Sequence, residues 1–195
     1  MGTTERSGAA DCGLTLWLTG LSGAGKTTLA LAIEQELAGI GRPSCVLDGD
    51  ELRRGLTSDL GLSREDRAEQ ARRAAHVAAL ISRSGVIAIV ALISPYRQDR
   101  RNAREIHQEL GLRFLEVWVD TPFEICERRD PKGLYARARA GELHDFTGLD
   151  APYEPPRSPD LQVDGCDEDS AQMARQIVAL FGANDTPLDA LTSIS

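Results

Sequence analysis

Gly20-Leu-Ser-Gly-Ala-Gly25-Lys26-Thr27-Thr28 follows an apolar run, Leu14 to Thr19, and precedes Leu29, Ile33 and Leu37 at four-residue spacing. The stretch matches G-x-x-x-x-G-K-[ST] and sits between a predicted strand and a predicted helix. Glycines let several backbone N–H groups turn inward, forming a nest for phosphate oxygens at the positive end of a helix. Lys26 adds a full charge for β and γ phosphates, and Thr27 offers a hydroxyl to Mg²⁺. The plain alternative is a strand-to-helix turn without a ligand, which the strand–loop–helix setting argues against.

Four further apolar runs continue the pattern: Cys45 to Leu47, Val86 to Ile93, Phe114 to Val119 and Leu161 to Val163. Several are almost uniformly apolar, as strands covered on both faces require. Alternating with helical patterns, they predict an α/β fold, a doubly wound parallel five-stranded sheet flanked by helices, of the P-loop nucleotide-binding type. The first helix stops near Gly39 and Gly41. A long one opens at Ser63, with Asp66 completing a capping box, and runs toward Gly85. Ala71, Ala74, Ala75 and Ala78 form its close-packing side, and Arg67, Arg72 and Arg73 its other side. Thr121-Pro122-x-Glu124 predicts another helix start, and Ala174, Ile177, Val178 and Phe181 give a stripe to a final helix over 169–181. The segment 130–159 is too long for a simple connection and reads as a lid. The domain spans 14–182, between a flexible N-terminus, 1–13, and a flexible tail, 183–195.

At 195 residues with 42% hydrophobic content, the chain suits one domain with a buried core. No run approaches the roughly 20 apolar residues of a membrane span, and residues 1–11 carry no secretory pattern, so a cytoplasmic protein is expected. A net charge of −8 argues against a nucleic-acid polymer as partner. Cys12, Cys45, Cys126 and Cys166 are too scattered for a zinc or redox motif and read as free buried thiols.

The phosphate loop alone does not choose among GTPases, motors and small-molecule kinases. Guanine-specific switches use an Asn-Lys-x-Asp element, and neither lysine, Lys26 or Lys132, is followed two residues later by Asp. The second strand ends in Asp48-Gly-Asp50-Glu51-Leu-Arg53, putting carboxylates and an arginine at the sheet edge where open α/β folds bind ligands. A carboxylate there can organise Mg²⁺ or take a proton from an attacking hydroxyl. An Asp-Gly turn with solvated charges is the bland alternative.

With these residues the chain resembles the adenylylsulfate kinases, which phosphorylate the 3′-hydroxyl of adenosine 5′-phosphosulfate (APS) to give PAPS. The resemblance runs from about Leu16 to Pro156. It is carried by Gly20 to Thr28, Asp48 to Arg53, Asp59 to Ser63 with Asp66-Arg67, Ile93-Ser-Pro-Tyr-Arg97, Arg129-Asp-Pro-Lys132-Gly-Leu-Tyr135, Ala138 to Glu142 and Phe146-Thr-Gly-Leu-Asp150. It implies ATP and Mg²⁺ held by Gly20, Leu21, Ser22, Gly23, Ala24, Gly25, Lys26, Thr27 and Thr28, with Arg129 at the ATP base. Asp48 resembles the carboxylate near metal and hydroxyl. Asp50, Arg53, Leu62, Arg67, Gln70, Ile93, Ser94, Lys132 and Phe146 take acceptor-side places, Phe146 as the lid ring over the substrate adenine. Lys26, Asp48 and Ser94 are the catalytic candidates. Ser94 matches a serine described in the family as a phosphoserine intermediate, but direct transfer needs no such step and no sequence neighbour is an evident base, so substrate binding is expected of it. The resemblance also implies a homodimer.

Two acceptor-side positions depart from the family pattern: Leu62 stands where Phe is usual, and Gln70 where Asn is. Leu92 and Glu51 drift further. Leu62 keeps apolar contact but loses ring stacking, and Gln70 keeps the amide one methylene further out. Unchanged activity, a related kinase with another nucleotide acceptor, and a nucleotide-binding module without catalysis remain the readings; the last predicts damage to Lys26, Thr27 or Asp48, and all three are intact.

Overall fold

The computed structural model of the chain describes residues 13–166 and 169–182. Five parallel strands, β1 (Leu14–Thr19), β2 (Ser44–Asp48), β3 (Ile87–Ala91), β4 (Arg113–Asp120) and β5 (Leu161–Asp164), lie in the order β2-β3-β1-β4-β5. All five expected runs are strands. Helices α1 (Lys26–Gly39), α2 (Gly49–Arg54), α3 (Arg64–Arg83), α4 (Arg97–Glu109), α5 (Phe123–Arg129), α6 (Leu134–Arg139) and α7 (Ser170–Gly182) complete the order.

The inner runs are continuous because strands such as β1 and β3 face two cores, whereas the edge strand β5 alternates and exposes Gln162 and Asp164. Residues of β1 alternate: Leu14, Leu16 and Leu18 pack with Leu29, Ile33 and Leu37 of α1 and Ala174, Ile177 and Val178 of α7. Trp17 points the other way, with Ala71, Ala74, Ala75 and Ala78 of α3, Ala103 of α4 and Phe114. In β3 the same period of two sends Ile87 and Ile89 to the first core and Ala88 and Val90 to the second. The alanine face of α3 brings that helix close to the sheet, where the large Trp17 fills the space. The Phe181 side chain, Cys12 and residues 183–195 lie outside the described residues. Gly13 belongs to the body: its carbonyl accepts from Arg113 N at 3.0 Å.

Helix starts mix agreement and correction. Ser63 Oγ accepts from Asp66 N at 3.1 Å, which makes Ser63 the cap of α3 and supplies the first half of the expected box. Thr121 makes no cap for α5; Pro122 is the cap residue, and the Thr121 hydroxyl donates instead to Ala24 O at 3.0 Å, tying α5 to the phosphate loop. The lid is not wholly irregular, since it contains α6. Of the cysteines described, Cys126 is buried, while Cys45 and Cys166 are half-exposed, so burial of all four does not hold.

Helix α4 escaped the sequence reading because its buried face is Asp99, Arg100, Ala103 and His107 rather than a hydrophobic stripe. His107 lies fully buried, with Nδ1 donating to Ala103 O at 2.8 Å. That carbonyl can only accept, so Nε2 accepts from the Thr15 hydroxyl at 2.8 Å; Ser82 Oγ lies 2.7 Å from Thr15. Burial lowers the His107 pKa from 6.5. The unfolded chain therefore binds more protons than the folded one around and below pH 6.5, and this contribution to stability is present above that pH and is lost as pH falls from it through the lower folded pKa. We expect the urea midpoint to drop between pH 7.5 and 5.5, and His107→Gln, less stable at pH 7.5, to show a flatter dependence.

Candidate active site

The strands β1, β2 and β3 end at one edge, in Thr19, Asp48 and Ala91, and the loops after them wall a cleft of about 850 Å³. After β1 the chain must reverse tightly into α1. Gly23 has φ 77°, and a Cβ there would stand 2.8 Å from Cys126 O. Gly25, at φ 98°, is the cap residue of α1 and makes no side-chain cap bond. The first turn of α1 holds no acidic residue, so its N–H groups and dipole favour an external anion.

Lys26 is 8% exposed and folds back on its own loop, donating from Nζ to Gly20 O at 2.9 Å and Leu21 O at 2.6 Å. Burial, aided by the Lys132 charge and opposed by Cys126 and Asp48, pulls its pKa down to about 8. Ser22 to Thr28 border the cleft; Gly20 and Leu21 do not, and serve instead as carbonyl acceptors for Lys26. Asp48 closes the loop's far side. Its Oδ2 accepts from the Thr27 hydroxyl at 2.6 Å, and its Oδ1 accepts from Asp50 N at 2.9 Å and Glu51 N at 3.4 Å as the cap of α2. Hydroxyl and carboxylate oxygens side by side are hard donors of the kind Mg²⁺ takes alongside phosphate, so the two residues fit that ion.

One end of the cleft is built for an anion. Arg53 Nη1 donates to Leu60 O and Gly61 O at 3.1 and 3.0 Å, and its Nη2 to Gln70 Oε1 at 2.6 Å. Arg67, 6% exposed, donates to Leu62 O at 2.9 Å and to the lid carbonyl Asp145 O at 2.7 Å. Every partner is a carbonyl or an amide; among the described residues neither guanidinium is in an ion pair. Burial depresses the pKa of both, and for Arg67 the Arg53 charge adds to it. Two desolvated positive charges with no direct ion pair, offset only through space by Asp66, Asp145 and Asp150, favour a negatively charged ligand. Leu62, Gln70, Ile93, Ser94 and Phe146 line the same cleft. Arg72 and Arg73, on the same helix, pair with Glu69 and Asp59 and take no part.

The lid lies over the cleft. Lys132 pairs with Asp50 across its mouth. The Asp150 carboxylate accepts from Asp145 N and Phe146 N at 2.8 and 2.6 Å, fixing Phe146, whose ring meets Tyr135 edge-on at 4.9 Å. Tyr135 Oη donates to Ser22 O at 3.0 Å, so lid and phosphate loop are joined directly. Phe146 thus both anchors the lid and borders the ligand space. Arg129, Leu134, Gly165, Ser170 and Met173 line the cleft too. Sequence reasoning missed Gly165, Ser170 and Met173, since only the fold brings α7 and the β5 turn there; Leu134 and Tyr135 were quoted in the lid motif without a role.

Ser94 sits at φ 37°, uncommon for a non-glycine residue. Its Oγ accepts from the Trp17 indole N–H at 3.0 Å, and no carboxylate or imidazole hydrogen-bonds to it among the described residues. The arrangement holds Ser94 without activating it as a nucleophile.

The adenylylsulphate kinase family profile matches residues 12–164. The bifunctional enzyme CysN/CysC of Mycobacterium tuberculosis is 49% identical over 169 residues, covering 87% of this chain; the chain spans only 27% of that protein's length. The adenylyl-sulfate kinase of Saccharomyces cerevisiae is 52% identical over 151 residues, 77% of this chain and 75% of the yeast protein. Among solved structures, the Mycobacterium tuberculosis APS kinase CysC in complex with AMPPNP and APS aligns with TM-score 0.85 and 48% identity, covering 88% of this chain and 98% of that one. With its phosphate loop, the Arg53 and Arg67 pair and the lid in one cleft, the chain belongs to the adenylylsulphate kinase family.

Proposed function

We propose that the chain transfers the γ-phosphoryl group of ATP to the 3′-hydroxyl of adenosine 5′-phosphosulfate, yielding PAPS and ADP. The observation that carries this reading is the Arg53 and Arg67 pair, desolvated and in no direct ion pair, in the same cleft as the phosphate loop. With a triphosphate at the loop and the phosphosulfate at the arginines, the acceptor's 3′-hydroxyl would face the γ-phosphate near Asp48. The structure of a relative with AMPPNP and APS supports both occupants.

In this reading the loop amides and Lys26 hold the β and γ phosphates, while Thr27 and Asp48 hold Mg²⁺. When bound, the ion neutralises charge on the phosphate oxygens. Asp48 orients the acceptor hydroxyl and can take its proton. Arg53 and Arg67 grip the acceptor anion with paired hydrogen bonds, Lys132 leaves Asp50 for the ligand, and the lid keeps water from the γ-phosphate. Transfer is direct, because phosphoryl transfer in such sites rests on positioning and electrostatics. Arg129 flanks the ATP base. The protein works as a cytoplasmic homodimer in this proposal; no described helix is long and apolar enough to cross a membrane, and light scattering tests the dimer.

The deciding experiment is ADP release with adenosine 5′-phosphosulfate and with other ribonucleotide anhydrides. Turnover with the first alone supports the proposal; a preference for another anhydride favours the second reading, which Leu62 and Gln70 motivate. Leu62 borders the cleft that Phe146 covers. Leu62→Phe adds a ring able to stack on the acceptor base, and aromatic pairs gain about 0.5–1.5 kcal/mol beyond burial. We expect calorimetry to show tighter APS binding by roughly threefold to tenfold; weaker binding would mean the pocket has repacked around leucine.

A further inference from the structure

We infer that Arg100, a buried residue of α4 outside the cleft, is a positioning residue for the acceptor half of the site, a reading that rests on the function proposed above. Arg100 is 2% exposed and spends all three faces of its guanidinium. Nε donates to Glu116 Oε1 at 2.6 Å, Nη1 to Ser94 O at 2.6 Å and Nη2 to Glu154 O at 2.7 Å. One side chain therefore joins a central strand, the acceptor turn and the returning leg of the lid.

Both carbonyls it holds belong to segments that need holding. Ser94 keeps its unusual backbone only while its surroundings fix it. Thr19 Oγ1 secures the preceding Ile93 O at 2.7 Å, and Trp17 the Ser94 hydroxyl, leaving the Ser94 carbonyl to Arg100 and a longer 3.4 Å contact from Thr19. Glu154 is strapped to the same turn from the other side. Its N donates to Pro95 O at 2.8 Å, and its Oε2 accepts from Arg97 N at 2.9 Å. Ile93, Ser94 and Pro95 border the cleft. Hence the guanidinium sets the acceptor wall and the lid foot as one unit. No hydrogen bond links it to the phosphate loop, so its influence falls on the acceptor and spares the nucleotide.

A lysine keeps the charge yet supplies a single point that cannot serve three divergent acceptors. Arg100→Lys in the full chain is therefore expected to raise the acceptor KM roughly tenfold and to lower kcat by up to about 10²-fold, the scale of a 1 Å misplacement. AMPPNP affinity should stay within about twofold, while ATP hydrolysis without acceptor rises as the lid foot loosens. The double variant Arg100→Met/Glu116→Leu replaces the buried ion pair by apolar groups, a change that folded proteins often tolerate, and should show the same split. Equal losses for nucleotide and acceptor, no change in either, or failure of both variants to fold would overturn the inference in favour of a purely structural role. If the unaltered protein proves inactive on APS, the proposed function fails, and the strap is still read by amide exchange. Faster exchange at Glu154 N in Arg100→Lys, with Leu29 N unchanged, supports it; unchanged exchange at Glu154 overturns it.

Discussion

Lys26→Ala is expected to lower phosphoryl transfer by about 10²–10³-fold or more, the range for removing one preorganised charge partner of a transition state. The side chain is already desolvated, with Nζ held by Gly20 O and Leu21 O. Its attraction for the γ-phosphate is therefore exerted in a water-poor cleft, where charge interactions are strongest. Folding should survive, because the alanine removes a buried charge and leaves only two loop carbonyls without that donor. The titration of Lys26 gives a second signature. With its pKa near 8, part of the free protein carries a neutral amine at pH 8 to 9, and a triphosphate favours the charged form. ATP binding should then take up a proton, and affinity should weaken as pH rises above about 8. Calorimetry in two buffers of different ionisation heat reads this uptake, which Lys26→Ala should abolish. An uptake that persists in the variant would assign the proton elsewhere.

The strands were legible because burial on both faces removes the need for polar alternation, so β1, β3 and β4 announce themselves as apolar runs. Helix α4 did not, since its inward face satisfies polar atoms: Asp99 takes a bidentate Arg64, and His107 meets Thr15. Polar burial of that kind has no periodic signature in one sequence. Helices α2 and α6 are too short for one. In the site, the phosphate loop and Asp48 were readable because chemistry and chain position coincide within a few residues. The arginines of α3 were harder. Arg67, Arg72 and Arg73 look alike in sequence, and what separates them is distant: Asp145 of the lid comes down on Arg67, while Asp59 faces Arg73. Family resemblance named Arg67, and packing supplies the reason. The same holds for Arg100, invisible as anything but one more charge in a basic helix until Ser94 and Glu154 converge on it.

Asp48 allows its structural and chemical duties to be pulled apart. As cap of α2 it accepts through Oδ1 from Asp50 N and Glu51 N, while Oδ2 faces Thr27. Asn caps about as well as Asp, whereas Ala costs about 1 kcal/mol at such a position. Asp48→Asn should therefore keep the unfolding midpoint and Asp48→Ala should lower it. On the proposed mechanism both would lose the charge that pairs with Mg²⁺ and the base that receives the hydroxyl proton, and general-base removal alone is worth about 10²–10⁴-fold. Turnover should fall by that order in both variants alike, despite their unequal stability. The Asn variant should also need more Mg²⁺ for half-maximal rate. Should Asp48→Asn retain near-normal turnover while only Asp48→Ala loses it, Asp48 would act by holding α2 and its Arg53 in place, and another group would have to receive the proton.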